Sequence, residues 1–235
     1  MDTNAVKTAV YVDGYNLYYG RLRQTPYKWL DVVNLLGSII RIQTPSATIE
    51  VVKYFTAPAL ARFASHGLDS VSAQERYHRA LSARHPNLKI ILGTHSIDLD
   101  GTLLPAFRSG VPYDRSDRHR VWKLEEKKTD VNIAIEMYRD AIRGGFDQLV
   151  IVSNDSDAEP VLAAIREDCP TLAIGVVSPI PPKASGGKGH RSVSASLSNW
   201  ADWTRRHILD EELEQAQLPP RIPTRKKPID KPPHW

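Results

Sequence analysis

The sequence predicts an α/β fold: a central, mostly parallel sheet with helices on both faces. Two observations predict it. Apolar runs without polar alternation recur along the chain, as in strands covered on both sides; residues 148–152 (QLVIV) and 171–177 (TLAIGVV) are the plainest. Segments of helical apolar spacing separate such runs, and strand–helix alternation is the pattern of parallel crossover connections.

The elements follow in order. Residues 6–12 (VKTAVYV) form a buried strand that ends at the turn Asp13-Gly14. From 29 to 42, Trp29, Val32, Val33, Leu36 and Ile39/Ile40 recur at helical spacing. Residues 48–55 (TIEVVKYF) are a second strand, 70–84 a charged, Ala-rich surface helix, and 88–92 (LKIIL) a third strand. Periodicity is lost from 94 to 118, where Gly, Pro, Ser and Asp mark an excursion or hairpin insert, with a short strand expected at 120–124. A helix over 129–143 carries Val131, Ile135, Tyr138 and Ile142 on one face and is closed by Gly144-Gly145. The strand at 148–152 leads to a helix at 157–167 and the strand at 171–177. After Pro179 the composition shifts to PIPPKASGGKGHRS, then to a helix expected over 197–213. From Gln217 the chain is Pro-rich and basic, so little packed structure is expected. The expected division is a domain over 1–180, a basic loop and helix over 181–216 packed on it, and a tail over 217–235.

Composition narrows the function classes. The 235 residues, 41% hydrophobic, suffice for one large domain or two small ones. No apolar run is long enough to span a bilayer, and MDTNAVKTAV lacks the basic and apolar regions of a signal peptide, so no membrane association is expected. Cys169 is the single cysteine, which excludes an internal disulfide and a cysteine zinc site and fits a reducing cytoplasm. A net charge of +4 permits a polyanionic partner. A homodimer is compatible with the sequence.

Sites of parallel α/β sheets lie beyond the carboxyl ends of strands. There the first strand offers Asp13 and Asn16, the strand at 148–152 is followed by Ser153, Asn154, Asp155, Ser156 and Asp157, and the helix from 129 has Asp130 in its first turn. Crowded carboxylates repel, and a fold tolerates them mainly when a cation neutralises them. Oxygen donors without His or Cys select Mg²⁺ or Mn²⁺. Such an ion lowers the pKa of a bound water and stabilises charge on a phosphodiester, so the expected class is phosphoryl-transfer hydrolysis. Plainer roles compete: Asp13 as a turn residue, Asp130 as a partner of the helix dipole, and Ser156-x-x-Glu159 as a capping box, with Asp157 an alternative cap before Pro160.

Three runs together, AVYVDGYNLYYG (9–20), EKKTDVNIAIEMYRDAI (126–142) and FDQLVIVSNDSDAEPVLAAI (146–165), resemble the signature segments of the NYN domain family, within the PIN-like nuclease superfamily. The resemblance covers 5 to about 180. It implies a PIN-like three-layer fold and a ribonuclease with a Mg²⁺ or Mn²⁺ site. Asp13, Asp130, Asp155 and Asp157 would hold metal, Asn16 would orient Asp13 or a metal-bound water, and cleavage would leave a 3′-hydroxyl and a 5′-phosphate. Lys127, Lys128 and Arg120 are the basic residues nearest this set for an RNA backbone. The sequence departs from the family at Ala158, where an aromatic residue is common, and at Lys128, where Gly is common. Two rivals stand beside this reading: a non-catalytic RNA-binding or regulatory protein, and a pyridine-ring monooxygenase, a label some relatives carry. No dinucleotide-binding Gly motif or flavin site supports the last.

Overall fold

The computed structural model describes residues 5–182 and 192–235; the basic loop read at 183–191, with its Gly-rich stretch, lies outside them. Strand β1 (Val6–Asp13) is the centre of a fully parallel sheet. A short helix α1 (Gly14–Leu17) follows at once and runs on as a π-helical turn, Tyr18–Leu22. Helix α2 (Val32–Gln43) is capped by Asp31, whose carboxylate accepts from the Asn34 amide. Then come β2 (Ala47–Thr56), α3 (Leu68–Arg84) and β3 (Leu88–Leu92). An antiparallel arm interrupts the alternation: β4 (Thr94–Ile97) pairs with β7 (Leu124–Lys127) at its root, and β5 (Thr102–Pro105) pairs with β6 (Arg118–Val121) further out. Helix α4 (Thr129–Arg143), β8 (Gln148–Val152), α5 (Glu159–Asp168) and β9 (Ala173–Val177) complete the regular part.

The region expected to be one helix is instead α6 (Ala195–Trp200), strand β10 (Trp203–Arg205) and α7 (Asp210–Gln215). The order among the described residues is β10-β9-β8-β1-β2-β3. Trp203 belongs to the sheet edge, lying over Gly175 of β9, where no Cβ obstructs the indole. A Cβ at Gly175 would overlap that ring, so Gly175→Ala is expected to displace β10 and cost about 1–3 kcal/mol, read as an earlier thermal melt with quenched or shifted Trp emission.

Two apolar layers cover the sheet. On one face Val10, Val12, Val52 and Val150 meet Leu35, Leu36 and Ile39 of α2 and Tyr77 and Leu81 of α3. On the other Ala9, Tyr11, Leu149 and Ile151 meet Ile133 and Met137 of α4 and Leu162 and Ile165 of α5. The side chains alternate between the faces, so unbroken apolar strands serve both cores.

Val131, Ile135, Tyr138 and Ile142 share one face of α4 as expected; that face is turned to solvent, and Ile133, Met137 and Ala141 are the buried set. One expectation, an unpacked tail, is corrected. The tail is packed: Leu218, Ile222 and Ile229 are buried, and a short ribbon of β11 (Arg221–Ile222) and β12 (Ile229–Asp230) lies against α3. The Trp29 indole donates to the Pro219 carbonyl, and Trp235 stands edge-on to Trp29. A few apolar anchors suffice because proline-fixed segments lose little further freedom on docking.

Candidate active site

The crossovers run outward in opposite directions from β1, through β2 to β3 and through β8 to β9. That leaves a crevice between the carboxyl ends of β1 and β8, the ordinary ligand position in such sheets. Val12 and Val152 are paired in register, so the next residues, Asp13 and Ser153, emerge side by side.

Asp13 is buried, and each of its oxygens accepts one hydrogen bond. One oxygen accepts from the Asn16 amide at 2.8 Å and the other from Ser153 Oγ at 3.0 Å. Ser153 Oγ also accepts from the Asp155 amide at 3.1 Å, tying the second strand end to the first. Asn16 Oδ1 accepts from the Asn154 amide at 3.2 Å, so its side chain braces the loop after β8. Asp155 caps the turn that starts the next helix, accepting from the Asp157 amide at 3.1 Å; Asp157 itself is not the cap and stands exposed. Asp13, Asp130 and Asp155 line one narrow cavity with Ser153, Ile133 and Ala158. A small residue at 158 leaves that wall open.

The electrostatics carry the strain of this arrangement. Burial pushes the Asp13 carboxyl up to about 6, against the pull of its two hydrogen bonds, and Asp130 and Asp155 add to the rise. Asp130 is raised by partial loss of solvent and by Asp155 and Asp157. Among the described residues none of these carboxylates is ion-paired with a lysine or arginine.

A further carboxylate was not singled out from the sequence. Glu126 is the next-to-last residue of the arm's root strand and accepts from Thr129 Oγ1. Partial burial, with the charges of Asp13 and Asp130, pushes it up to about 7. Across the ribbon it is in register with His95, whose ring Nε2 lies 3.1 Å from the Tyr15 hydroxyl. The arm therefore supplies a polar edge to the site.

The basic residues divide. Lys127 and Lys128 stand exposed at the start of α4, beside Asp130, with Lys127 paired to Glu125 at 2.9 Å. Lys128 takes φ 75°, a left-handed conformation that suits glycine, which accounts for the glycine usual there. Arg120 is on the outer ribbon, where its Nη1 donates to the carbonyls of Asp100 and Gly101. The structure does not bring it to the carboxylates, because the arm carries it outward.

A second cavity, of about 250 Å³, opens beside Gly14. Tyr15, Tyr19, Tyr54, Phe63 and His95 are among its walls.

Comparison with known proteins gives the family and the fold. The NYN domain model matches residues 107–185, which hold Asp130, Asp155 and Asp157. A protein of Pseudomonas putida named 6-hydroxy-3-succinoylpyridine 3-monooxygenase is 38% identical, the alignment covering 100% of this chain and 77% of that protein. This chain belongs to the NYN domain family. Asp13 precedes the matched segment, yet the NYN chain's sheet register joins it to that segment through Ser153. A crystal structure of a protein of unknown function from Vibrio parahaemolyticus shares the fold at a TM-score of 0.50 and 17% identity, covering 90% of this chain and 98% of that one. The three layers agree with the PIN-like fold expected of an NYN chain. No helix of the described residues is long and apolar enough to cross a membrane.

Whether a divalent ion suits the site follows from the donors. They are hard oxygens around one cavity, mutually repelling and without a protein countercharge, which is the chemistry Mg²⁺ or Mn²⁺ answers. Among the described residues no three His, Cys, Asp or Glu converge into a finished ligand cage. The residues fit as donors placed about a cavity, not as a closed coordination sphere.

Proposed function

We propose that this NYN chain is a metal-dependent ribonuclease. The observation that supports it best is the group of uncompensated carboxylates at the sheet's switch point, costly to the fold and repaid only by a cationic ligand and an anionic substrate. Asp13, Asp130 and Asp155 would hold Mg²⁺ or Mn²⁺, with Asp157 and Glu126 at the rim. The bound ion supplies an acidified water and charge stabilisation at a phosphodiester. Ser153 and the Asn16 amide orient Asp13, so its lone pairs are directed before any ligand arrives. Lys127 and Lys128 offer the backbone two cations. Glu126, its carboxyl raised by partial burial and by its acidic neighbours, stands at the edge of the cleft as a candidate proton-exchanging group.

Incubation with total RNA and Mn²⁺ or Mg²⁺ is expected to yield discrete fragments ending in a 3′-hydroxyl and a 5′-phosphate, none with chelator, and few with Asp155→Asn. RNA left intact under every metal condition would refute the reading. One relative favours a second reading, hydroxylation of a pyridine ring: the Pseudomonas protein's name, together with an aromatic cavity beside the carboxylates. That chemistry needs dioxygen and a two-electron reductant. Consumption of reduced nicotinamide dependent on a pyridine substrate, with RNA untouched, would establish it instead.

A further inference from the structure

We propose that the chain binds single-stranded RNA along one track, with a base stacked in the aromatic cavity beside Asp13 and the adjoining backbone held in a basic cleft formed by α3 and the C-terminal ribbon. The polymer's identity rests on the ribonuclease reading; the track itself rests on other residues.

The aromatic cavity begins at the carboxylates, since Gly14 and Tyr15 directly follow Asp13 and line it. Its volume, about 250 Å³, suits one flat ring system rather than a stretch of polymer. Tyr15 and Tyr19 lie 5.1 Å apart between ring centres, and Tyr19 (48% exposed) and Phe63 (37% exposed) are open to solvent, with Arg23 over the Tyr19 ring and Trp122 against Phe63. What sets Tyr19 and Phe63 apart from the other exposed aromatics is that both line one cavity with Tyr15, Tyr54 and His95. Stacking accepts any base, because every base has a π-face.

The cleft is an independent feature. Arg79 of α3 and Arg225, Lys226 and Lys227 of the tail line an open space of about 640 Å³. All four are exposed, and among the described residues none makes an ion pair with a carboxylate. Four like charges facing one space repel unless anions enter it. His78 lines both cavities, its ring edge-on to Tyr54 at 6.1 Å, so the cleft adjoins the aromatic cavity on the side away from the carboxylates. The sequence of surfaces is acidic, aromatic, basic. A nucleic acid strand suits it, with one phosphate at the metal-binding carboxylates, its neighbouring base between aromatic faces, and later phosphates among the cations. A duplex does not fit, because a stacked and paired base cannot enter a one-ring cavity.

The test measures binding of a labelled single-stranded RNA to the full chain in chelator, so that cleavage does not intervene. Tyr19→Ala and Phe63→Ala are each expected to weaken binding by about fivefold or more, the usual effect of losing one stacked base. The double variant Arg79→Gln with Lys226→Gln is expected to flatten the slope of log affinity against log salt by about 1.4, for two phosphate contacts on a single strand. The duplex of the same sequence should bind more weakly and ignore the aromatic variants. All four positions are exposed, so the folds should hold, and unchanged melting checks this. Single-strand affinity indifferent to both aromatic variants, or an unchanged salt slope in the double variant, would overturn the track, even with cleavage intact. Track-dependent binding without cleavage under any metal would support the track and refute the ribonuclease reading. Binding of nicotinate, abolished by Phe63→Ala, with no binding of RNA, would assign the cavity to a free heteroaromatic ring and overturn the proposal.

Discussion

Lys53→Met should unfold the chain several degrees earlier, losing about 3–5 kcal/mol, the usual cost of stripping one partner from a buried ionic group. Lys53 lies on β2 with its side chain 7% exposed, and its ammonium donates to Glu136 and Asp140 of α4, both at 2.6 Å. The Tyr11 hydroxyl donates to the same oxygen of Asp140, and its own proton is held well above its ordinary range by burial and by that carboxylate. Methionine keeps the packing volume and removes the cation, so two carboxylates remain facing each other over an apolar layer. Adding Glu136→Gln and Asp140→Asn removes the stranded charges and should recover most of the loss. Chemical denaturation of the single and triple variants measures both. A single variant within about 0.5 kcal/mol of the parent, the range of ordinary surface substitutions, would mean that the network contributes no more than a surface pair.

Asp13→Asn should act in opposite directions on catalysis and stability. If the ribonuclease reading holds, cleavage should fall at least about 100-fold, as when a principal electrostatic group is removed. The stability effect follows from the raised carboxyl, near 6 in the folded chain against an ordinary 3.8. Below about pH 4 the group is protonated folded or unfolded and contributes nothing. Between the two values the folded chain holds a proton that the unfolded chain has released, so stability falls as pH rises. Above about pH 6 the cost is constant, on the order of 3 kcal/mol. Asparagine avoids it, retains an acceptor for the Asn16 amide and can donate to Ser153. The variant should therefore melt higher than the parent at pH 7 without metal, and the gap should close toward pH 4. Mn²⁺ should raise the parent's melting temperature and move the variant's less, because a ligand of the folded state stabilises by mass action. A variant that melts lower at every pH, with a parent indifferent to Mn²⁺, would reduce Asp13 to a helix cap.

Much of this was legible in the residues themselves. The apolar runs around Val10, Val52 and Val150 announced doubly covered strands, and their crossovers put Asp13 and Ser153 at one crevice. Asp13, Asp130 and Asp155 share one cavity because each stands just past a strand or at a helix start, while Asp157 stands exposed outside it. Glu126 was hidden because its strand is four residues long and too short to show a period, and only cross-strand pairing with His95 reveals which way it lies. Strand β10 was hidden for a similar reason: three residues have no readable period, and the decisive signal was the missing side chain at Gly175, far off in sequence. The tail misled through composition, as its anchors Leu218, Ile222 and Ile229 are diluted by proline and charge.

Helix α4 has two distinct apolar faces, about 130° apart at 100° per residue, the buried set of Ile133, Met137 and Ala141 and the outward set of Val131, Ile135, Tyr138 and Ile142. Apolar spacing alone therefore leaves two candidate inward faces for the helix. Glu136 and Asp140 flank the inner set, so their ion pairs with Lys53 favour the rotation that is occupied. The same rotation aims Asp130, in the first turn, at the carboxylate cavity. The buried ions thus act as a key for the helix, and the site at its end inherits their choice.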